Sequence, residues 1–431
     1  MKNKKNVNII TLGCSKNTVD SERLMRQLKL NDFNLIDDPN KAETVIINTC
    51  GFIEAAKEES VNTILRAVEQ KKKGKIKKVI VAGCLSERYA KELKNEIPEV
   101  DAFFGTEKYE GILNELGGKL KRELLGERTL SGPAHTAYLK ISEGCDHPCS
   151  FCAIPLMRGL HKSKPIEELV KEAEFLSRNN TKELILIAQD TTDYGKDIYG
   201  ERCLHKLLKE LSNIEGIEWI RLMYAYPSHF PKKVINEIAQ NKKVCNYVDI
   251  PLQHISDSVL KSMRRGVTSQ GIKKLVEEFR TKIPNVVLRT TFIVGYPNET
   301  KDCFKLLCNY VEETKFDRIG VFTFSVEENT TSFILGDPIP GKVKEERKNI
   351  LMEIQKNISY DKNNKLIGKY LNVLIERKEG EYYIGRSYRD APEVDGEILL
   401  PVENTDIIFG NFYNVKIYDC NEYDLFGKIR K

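Results

Sequence analysis

The sequence predicts an α/β protein in three consecutive parts: an N-terminal parallel α/β domain, a central partial (β/α)6 barrel and a small C-terminal antiparallel β-barrel. Three observations predict it. Short apolar runs alternate with amphipathic helical patterns up to about residue 340, as expected of parallel strands joined by helical crossovers. The breaker cluster GDPIPGK at 336–342 and a charged helical stretch from about Lys344 to Lys362 then end the alternation. Beyond residue 365, five short strands follow one another through close turns, the pattern of a small barrel of the oligonucleotide-binding shape.

At 431 residues the chain is long enough for three domains, taking roughly 150 residues for each. We place them at residues 1–125, 131–363 and 365–431. No apolar run approaches the ~18 residues of a membrane helix. The start, MKNKKNVNIITLGC, superficially resembles a lipoprotein signal. Its apolar stretch is broken by Asn8 and falls short of the about 7–15 residues such a region needs. The expectation is therefore an unprocessed cytoplasmic chain with no membrane partner. The net charge of +5 is too small for this length to imply a nucleic-acid partner.

In the first part, strands are expected near 7–12, 44–48 and 78–82, with helices beginning at Asp20 and Ala55. Each strand runs into a cysteine: VNIITLGC ends at Cys14, TVIINTC at Cys50 and KVIVAGC at Cys84. One such cysteine reads as a small buried hydrophobe. Three at equivalent strand ends read differently, because ligands of open parallel sheets collect at the carboxyl ends of the strands. They predict one shared metal site. The count of 11 cysteines is odd, and the chain is too long to need disulfide staples.

In the second part, strand signals lie at 137–142, 183–188, 219–225, 247–252, 286–294 and 319–324. Six β/α units are two short of a complete eight-stranded barrel, so the barrel is open. Directly after its first strand comes SEGCDHPCSFCAIP, which spaces Cys145, Cys149 and Cys152 as C-x3-C-x2-C. Thiolates are soft ligands for iron–sulfur clusters or zinc, and a structural zinc site wants four ligands where this loop offers three. His147 lies inside the loop and is badly placed to be the fourth. Three cysteines on a four-iron cluster leave one iron open to a small molecule. Cys203, Cys245, Cys303, Cys308 and Cys420 have no ligand spacing and read as core or surface filler. His254 reads as a structural hydrogen-bonding residue.

This cysteine spacing, with Phe151 before the last cysteine and a partial barrel around it, resembles the radical S-adenosylmethionine superfamily. The three parts together resemble its methylthiotransferases over almost the whole chain. The stretches GCSKNTVDSE (13–22), MRG (157–159), DIPLQHISDSVLKSMRRG (249–266), RTTFIVGYPNET (289–300) and SYRDAPEVDG (387–396) are similar to the branch that modifies a ribosomal protein. One stretch departs from the family pattern: FSVEENTTS at 324–332, where Pro and Gly are more usual.

The resemblance implies a radical SAM core followed by a terminal TRAM domain. It implies two [4Fe-4S] clusters, an auxiliary one on Cys14, Cys50 and Cys84 that carries the delivered sulfur and a radical one on Cys145, Cys149 and Cys152. S-adenosyl-L-methionine would be consumed twice, once to methylate the sulfur and once to give a 5′-deoxyadenosyl radical. Phe151, Gln189 in LIAQDTTDYG and Thr291 on the fifth barrel strand are the candidates for holding that cofactor. The implied substrate is an aspartate of small-subunit ribosomal protein twelve, converted to 3-methylthioaspartate, with a low-potential electron donor and a sulfur source as further partners. The alternatives are a methylthiotransferase acting on tRNA and an iron–sulfur protein that only binds RNA or carries electrons. Residues 365–431 hold ten Lys and Arg against twelve Asp and Glu. A barrel that binds RNA normally offers a positive groove, so this balance favours a basic protein over tRNA.

Overall fold

The computed structural model describes residues 5–402 and 407–430. The N-terminal sheet is parallel and has five strands: β1 (Asn6–Thr11), β2 (Asn34–Leu35), β3 (Thr44–Thr49), β4 (Lys78–Gly83) and β5 (Ala102–Phe103), in the order β2-β1-β3-β4-β5. The three strands that run into cysteines are therefore adjacent, which brings their carboxyl ends to one edge. The two-residue strands β2 and β5 were not foreseen. Helices α1 (Ser15–Leu30), α2 (Glu54–Lys72), α3 (Cys84–Glu96) and α4 (Tyr109–Leu116) join or flank them. Every residue of β3 is buried, because helices cover both faces of the sheet.

The central sheet is also parallel. Its strands are β6 (Thr136–Lys140), β9 (Glu183–Ile187), β10 (Trp219–Leu222), β11 (Val244–Asp249), β12 (Val287–Val294) and β13 (Arg318–Thr323), ordered β13-β12-β11-β10-β9-β6. The edge strands β13 and β6 do not pair with each other, so the barrel is open as expected. Between β6 and β9 a two-stranded ribbon, β7 (Ser142–Glu143) with β8 (Lys162–Ser163), brackets the cysteine loop and helix α5 (Ile154–Arg158). Outward residues of the strands meet an apolar helical layer. The helix Leu204–Ser212, for example, buries Leu204, Leu207, Leu208 and Leu211, a spacing that forms one stripe. Each such leucine contributes roughly 1.5–3 kcal/mol. Inward residues alternate with these, as in β12, where Leu288 and Thr290 are buried and Arg289 and Thr291 only partly so.

The helix Gly341–Asn364 packs along β13 through a mixed face, in which Leu351 and Ile358 are buried together with Lys344, Arg347 and Gln355. The Arg347 guanidinium donates to Glu299 at 2.9 Å. The chain ends in a closed five-stranded barrel of β14 (Tyr370–Glu379), β15 (Tyr382–Arg386), β16 (Ile398–Pro401), β17 (Phe412–Cys420) and β18 (Leu425–Ile429). Its pairings are antiparallel except for β16 with β18, which run parallel and close the barrel.

The stretch SYRDAPEVDG closes the lower mouth of the central barrel, at the amino ends of its strands. The Arg221 guanidinium donates to the Tyr388 carbonyl at 2.7 Å, and the Tyr247 hydroxyl to Asp395 at 2.6 Å. Arg318 donates to Asp390 at 2.7 Å. Ala391 packs with Ile185, Met223, Tyr247 and Val287 inside the barrel. The terminal barrel thus supplies the floor of the central one.

Candidate active site

Cys14 precedes α1, Cys50 follows β3, and Cys84 opens α3. Two glycines make this convergence possible. Gly13 has φ +90°, and a Cβ there would sit 2.7 Å from the Cys50 Cβ and 2.9 Å from its Sγ. Gly83 has φ +96°, and a Cβ there would lie 2.6 Å from the Thr49 carbonyl oxygen. Only glycine tolerates both the left-handed backbone and that closeness. Asn17 staples the strand ends together, its amide donating to the Leu12 and Thr49 carbonyls at 2.7 and 3.0 Å. Ser60 brackets Cys50, accepting from its amide and donating to its carbonyl. Cys14 is exposed, whereas Cys50 and Cys84 are buried. Burial pushes the Cys50 thiol up and the Cys84 thiol up to about 12.

The second set sits on the loop between β7 and α5. The Cys152 amide donates to the Cys149 carbonyl at 3.2 Å, which folds the loop into a turn. Ser150 pins it to the helix Asp257–Ser262, with its amide on the Met263 carbonyl at 3.0 Å and its hydroxyl on the Ser262 carbonyl at 2.9 Å. Burial raises the Cys145 and Cys152 thiols to about 12. Arg265 brings a guanidinium nitrogen 3.3 Å from the Cys149 sulfur. His147 does not face the thiols: its Nε2 lies 2.6 Å from Asp190, and its ring stacks on Tyr226 at 3.6 Å between centroids.

The two sets meet through the segment that follows Cys152. Cys84 packs with Ala153 and Met157, on the segment just after Cys152. Arg158 bridges the seam, donating to Asn17 on one side and to Glu143 at 2.8 Å on the other. Lys140 stands beside it, donating to Asp20, to Glu143, and to Glu107 at 2.8 Å. Burial alone would raise the Glu143 carboxyl, but Lys140 and Arg158 outweigh it and hold the group well below the usual range. The departing stretch 324–332 also serves the seam. Its buried Glu327 accepts from Arg88 at 2.9 Å and pairs with Lys57 at 3.0 Å, and the Ser332 amide reaches the Ser150 carbonyl at 2.8 Å.

In neither set do the three sulfurs all lie within 4.8 Å of one another, although other residue groups do. A single tetrahedral zinc, with Zn–S about 2.3 Å, would draw them to roughly 3.8 Å.

The other expected residues fall around this site. The Gln189 amide donates to Glu143 at 2.9 Å, while its Oε1 is buried without a partner. Thr291 is half-buried on the inner face of β12, against Gly320. Phe151 packs its ring beside Val259, Met263, Tyr296 and Phe324 beneath the loop. Cys203 and Cys245 are core residues, and His254 is buried, with its Nδ1 accepting from the Ser256 amide at 2.9 Å. Sequence reasoning missed Lys16, Asn17, Glu143, Arg158 and Arg265 as site residues. Each lies within a few positions of a cysteine or in a quoted stretch, but nothing in local pattern says that they meet.

An open parallel six-stranded barrel with a three-cysteine loop after its first strand defines a radical SAM protein, and residues 139–311 match the family described as the Radical SAM superfamily. Residues 6–105 match the uncharacterized protein family UPF0004, and residues 367–429 the TRAM domain. The chain belongs to the RimO family of ribosomal protein uS12 methylthiotransferases. It is 54% identical over 425 residues to ribosomal protein uS12 methylthiotransferase RimO of Christiangramia forsetii, covering 99% of this chain and 94% of that one. The protein of the same name from Flavobacterium johnsoniae is 52% identical, covering 99% and 98%. Among solved structures, the radical S-adenosylmethionine methyltransferase TsrM from Kitasatospora setae shares the fold, with a TM-score of 0.58 at 13% identity over 88% of this chain and 79% of that one. No helix among the described residues is long and apolar enough to cross a membrane.

Proposed function

We propose that this chain transfers a methylthio group to the β-carbon of an aspartate in uS12, giving 3-methylthioaspartate. The observation that carries the proposal is a pair of three-thiol sets, with Cys84 of one packed against the segment that follows Cys152 of the other, in a chain alike over its full length to uS12 methylthiotransferases. Its unit boundaries are 1–125, 131–363 and 365–431.

The residues suit iron–sulfur clusters. Each set offers three soft donors, and Arg265 supplies positive charge beside one set and Arg158 beside the other. Cys145, Cys149 and Cys152 would hold one cluster, and Cys14, Cys50 and Cys84 a second. When bound, the first supplies the electron that cleaves S-adenosylmethionine, and the second holds the sulfur that is delivered. A low-potential electron donor and a sulfur source complete the reaction.

The protein's own part is placement. Gln189 is fixed by Glu143 through its amide, which leaves its buried carbonyl oxygen free to accept from the amine of the methionine. Phe151 on the loop and Thr291 on β12 are the further candidates for holding that cofactor. Glu143 stays ionised beside Lys140 and Arg158, so the seam is locked by paired charge and carries no mobile proton.

The test offers the reconstituted enzyme uS12 together with bulk unmodified tRNA. A mass gain of one methylthio group on uS12, and its loss from uS12 in a strain lacking this chain, is expected. A gain on tRNA with none on uS12 would overturn the reading.

A further inference from the structure

Lys16 is 7% exposed, yet no carboxylate pairs with it among the described residues. Its ammonium lies 3.1 Å from the centroid of the Tyr224 ring. By contrast, Lys140 is matched by Asp20 and Glu143, Arg158 by Glu143, and Arg23 by Glu172. A buried ammonium without an anion is costly, and a cation–π contact offsets only part of that cost. A site that keeps such a charge is set up for an anion that arrives later.

The surroundings say where that anion enters. Lys16 shares one face of α1 with Val19, Asp20 and Arg23, at the spacing of a helical stripe. Val19 packs inside the central barrel and Asp20 pairs with Lys140 at its rim. Lys16 therefore projects from the cysteine-bearing sheet into the barrel mouth, onto Tyr224, which follows β10. Next to Tyr224 is Tyr138, whose hydroxyl also meets Glu393. Tyr138 and Glu393 line a cleft of about 610 Å³ along the open edge of β6. Of its carboxylates, Glu22, Glu376, Asp395 and Glu397 pair with Arg128, Arg386, Arg289 and Arg377, which leaves Glu393 beside Tyr138. Its two arginines are occupied, Arg386 by Glu183 and Glu376 and Arg377 by Glu397. Thr18, on the same turn of α1 as Lys16, lines that cleft.

We propose that Lys16 is the specificity-determining residue that receives the side-chain carboxylate of the substrate aspartate. The assignment rests on the uS12 reading above. It explains why a site for abstracting hydrogen from a β-carbon needs a cation that belongs to neither cysteine set. The carboxylate on Lys16 fixes the rotation of that β-carbon, because only one bond separates the two carbons.

The test measures binding of the full, iron-loaded chain to labelled uS12 and to uS12 in which the target aspartate is replaced by asparagine, by fluorescence anisotropy. Wild-type chain should prefer the aspartate form by about tenfold or more, the scale of one charge-assisted hydrogen bond. Lys16→Met keeps the aliphatic stem on Tyr224 and removes the charge, and Lys16→Gln is a second neutral variant. Both should bind the two forms equally, and Lys16→Arg should keep the preference. Iron content and thermal midpoint report whether each variant is folded. Neutral variants that retain the wild-type preference would overturn the proposal while leaving the uS12 reading in place. Wild-type chain that binds neither form and modifies tRNA would overturn both.

Discussion

Arg386 of the terminal barrel donates to Glu183 at the foot of the central sheet over 2.6 Å, with both side chains no more than 1% exposed. Glu183 also accepts from Arg221 at 2.7 Å, and Arg386 from its other side holds Glu376. Removing one member of such a group strands the others in a dry place. Arg386→Met should therefore cost about 3–5 kcal/mol, read as a lowered urea midpoint. An unchanged midpoint would show that water reaches the pair. Deleting residues 365–431 should likewise unfold the central barrel, since Arg221, Arg289 and Arg318 would all lose partners.

The two cysteine sets should fail in different ways. Anaerobic reconstitution should give about eight irons per chain, and replacing Cys145, Cys149 and Cys152 by Ala should leave about half. Replacing Cys14, Cys50 and Cys84 should abolish methylthio transfer while reductive cleavage of S-adenosylmethionine stays measurable. Loss of cleavage in a triple variant that still holds the radical cluster would contradict this division.

Gly13→Ala should damage the N-terminal set selectively. Its Cβ would strike the Cys50 side chain at 2.7 Å, at a φ that L residues rarely adopt. About half of the iron should be lost and the remainder should cleave S-adenosylmethionine normally. Full iron retention would show that the strand ends can spread to admit a methyl group.

Acid should open the seam between α1 and the helix Ile166–Arg178. Burial would raise the Glu172 carboxyl, but Arg23, Lys164 and Arg128 outweigh it and hold it at about 2. The folded value lies below the unfolded one, so the unfolded chain takes up protons first. The stabilisation is present above pH about 4.5 and fades as pH falls toward 2. Thermal midpoints of wild-type chain and Glu172→Gln should therefore converge in acid and separate near neutrality. A constant gap would place the effect outside this carboxyl.

The strands and both cysteine sets were legible in the sequence because each rests on a local pattern. Apolar runs mark buried parallel strands, and a thiol after each run survives any detail of packing. Where tertiary contacts decide, the reading fell short. Helix α1 begins at Ser15, five residues before the expected Asp20, because Asn17 is held by carbonyls of two strands and overrides its poor helix propensity. The strands β2 and β5 have two residues each and no period to detect. β11 covers 244–249 where 247–252 was expected, since Pro251 ends regular pairing. The helix Gly341–Asn364 shows no clean apolar stripe because the face it buries mixes Leu351 and Ile358 with Lys344, Arg347 and Gln355. Gln189 was singled out only through the family resemblance, and Lys16 not at all: a lysine that is buried looks, in one dimension, like one that is exposed.

The loop 387–396 closes the lower mouth of a barrel to which it does not belong. Inheritance is therefore constrained in a way that a map of sequence matches does not show. A terminal barrel taken from a relative would bring its own floor, cut for different walls, and the graft would fail unless Arg221, Tyr247, Arg289 and Arg318 travelled with it. The piece that evolution can exchange here is the pair of barrels together, so changes in what the terminal barrel binds have to arise by substitution on its outer surface and not by swapping it whole.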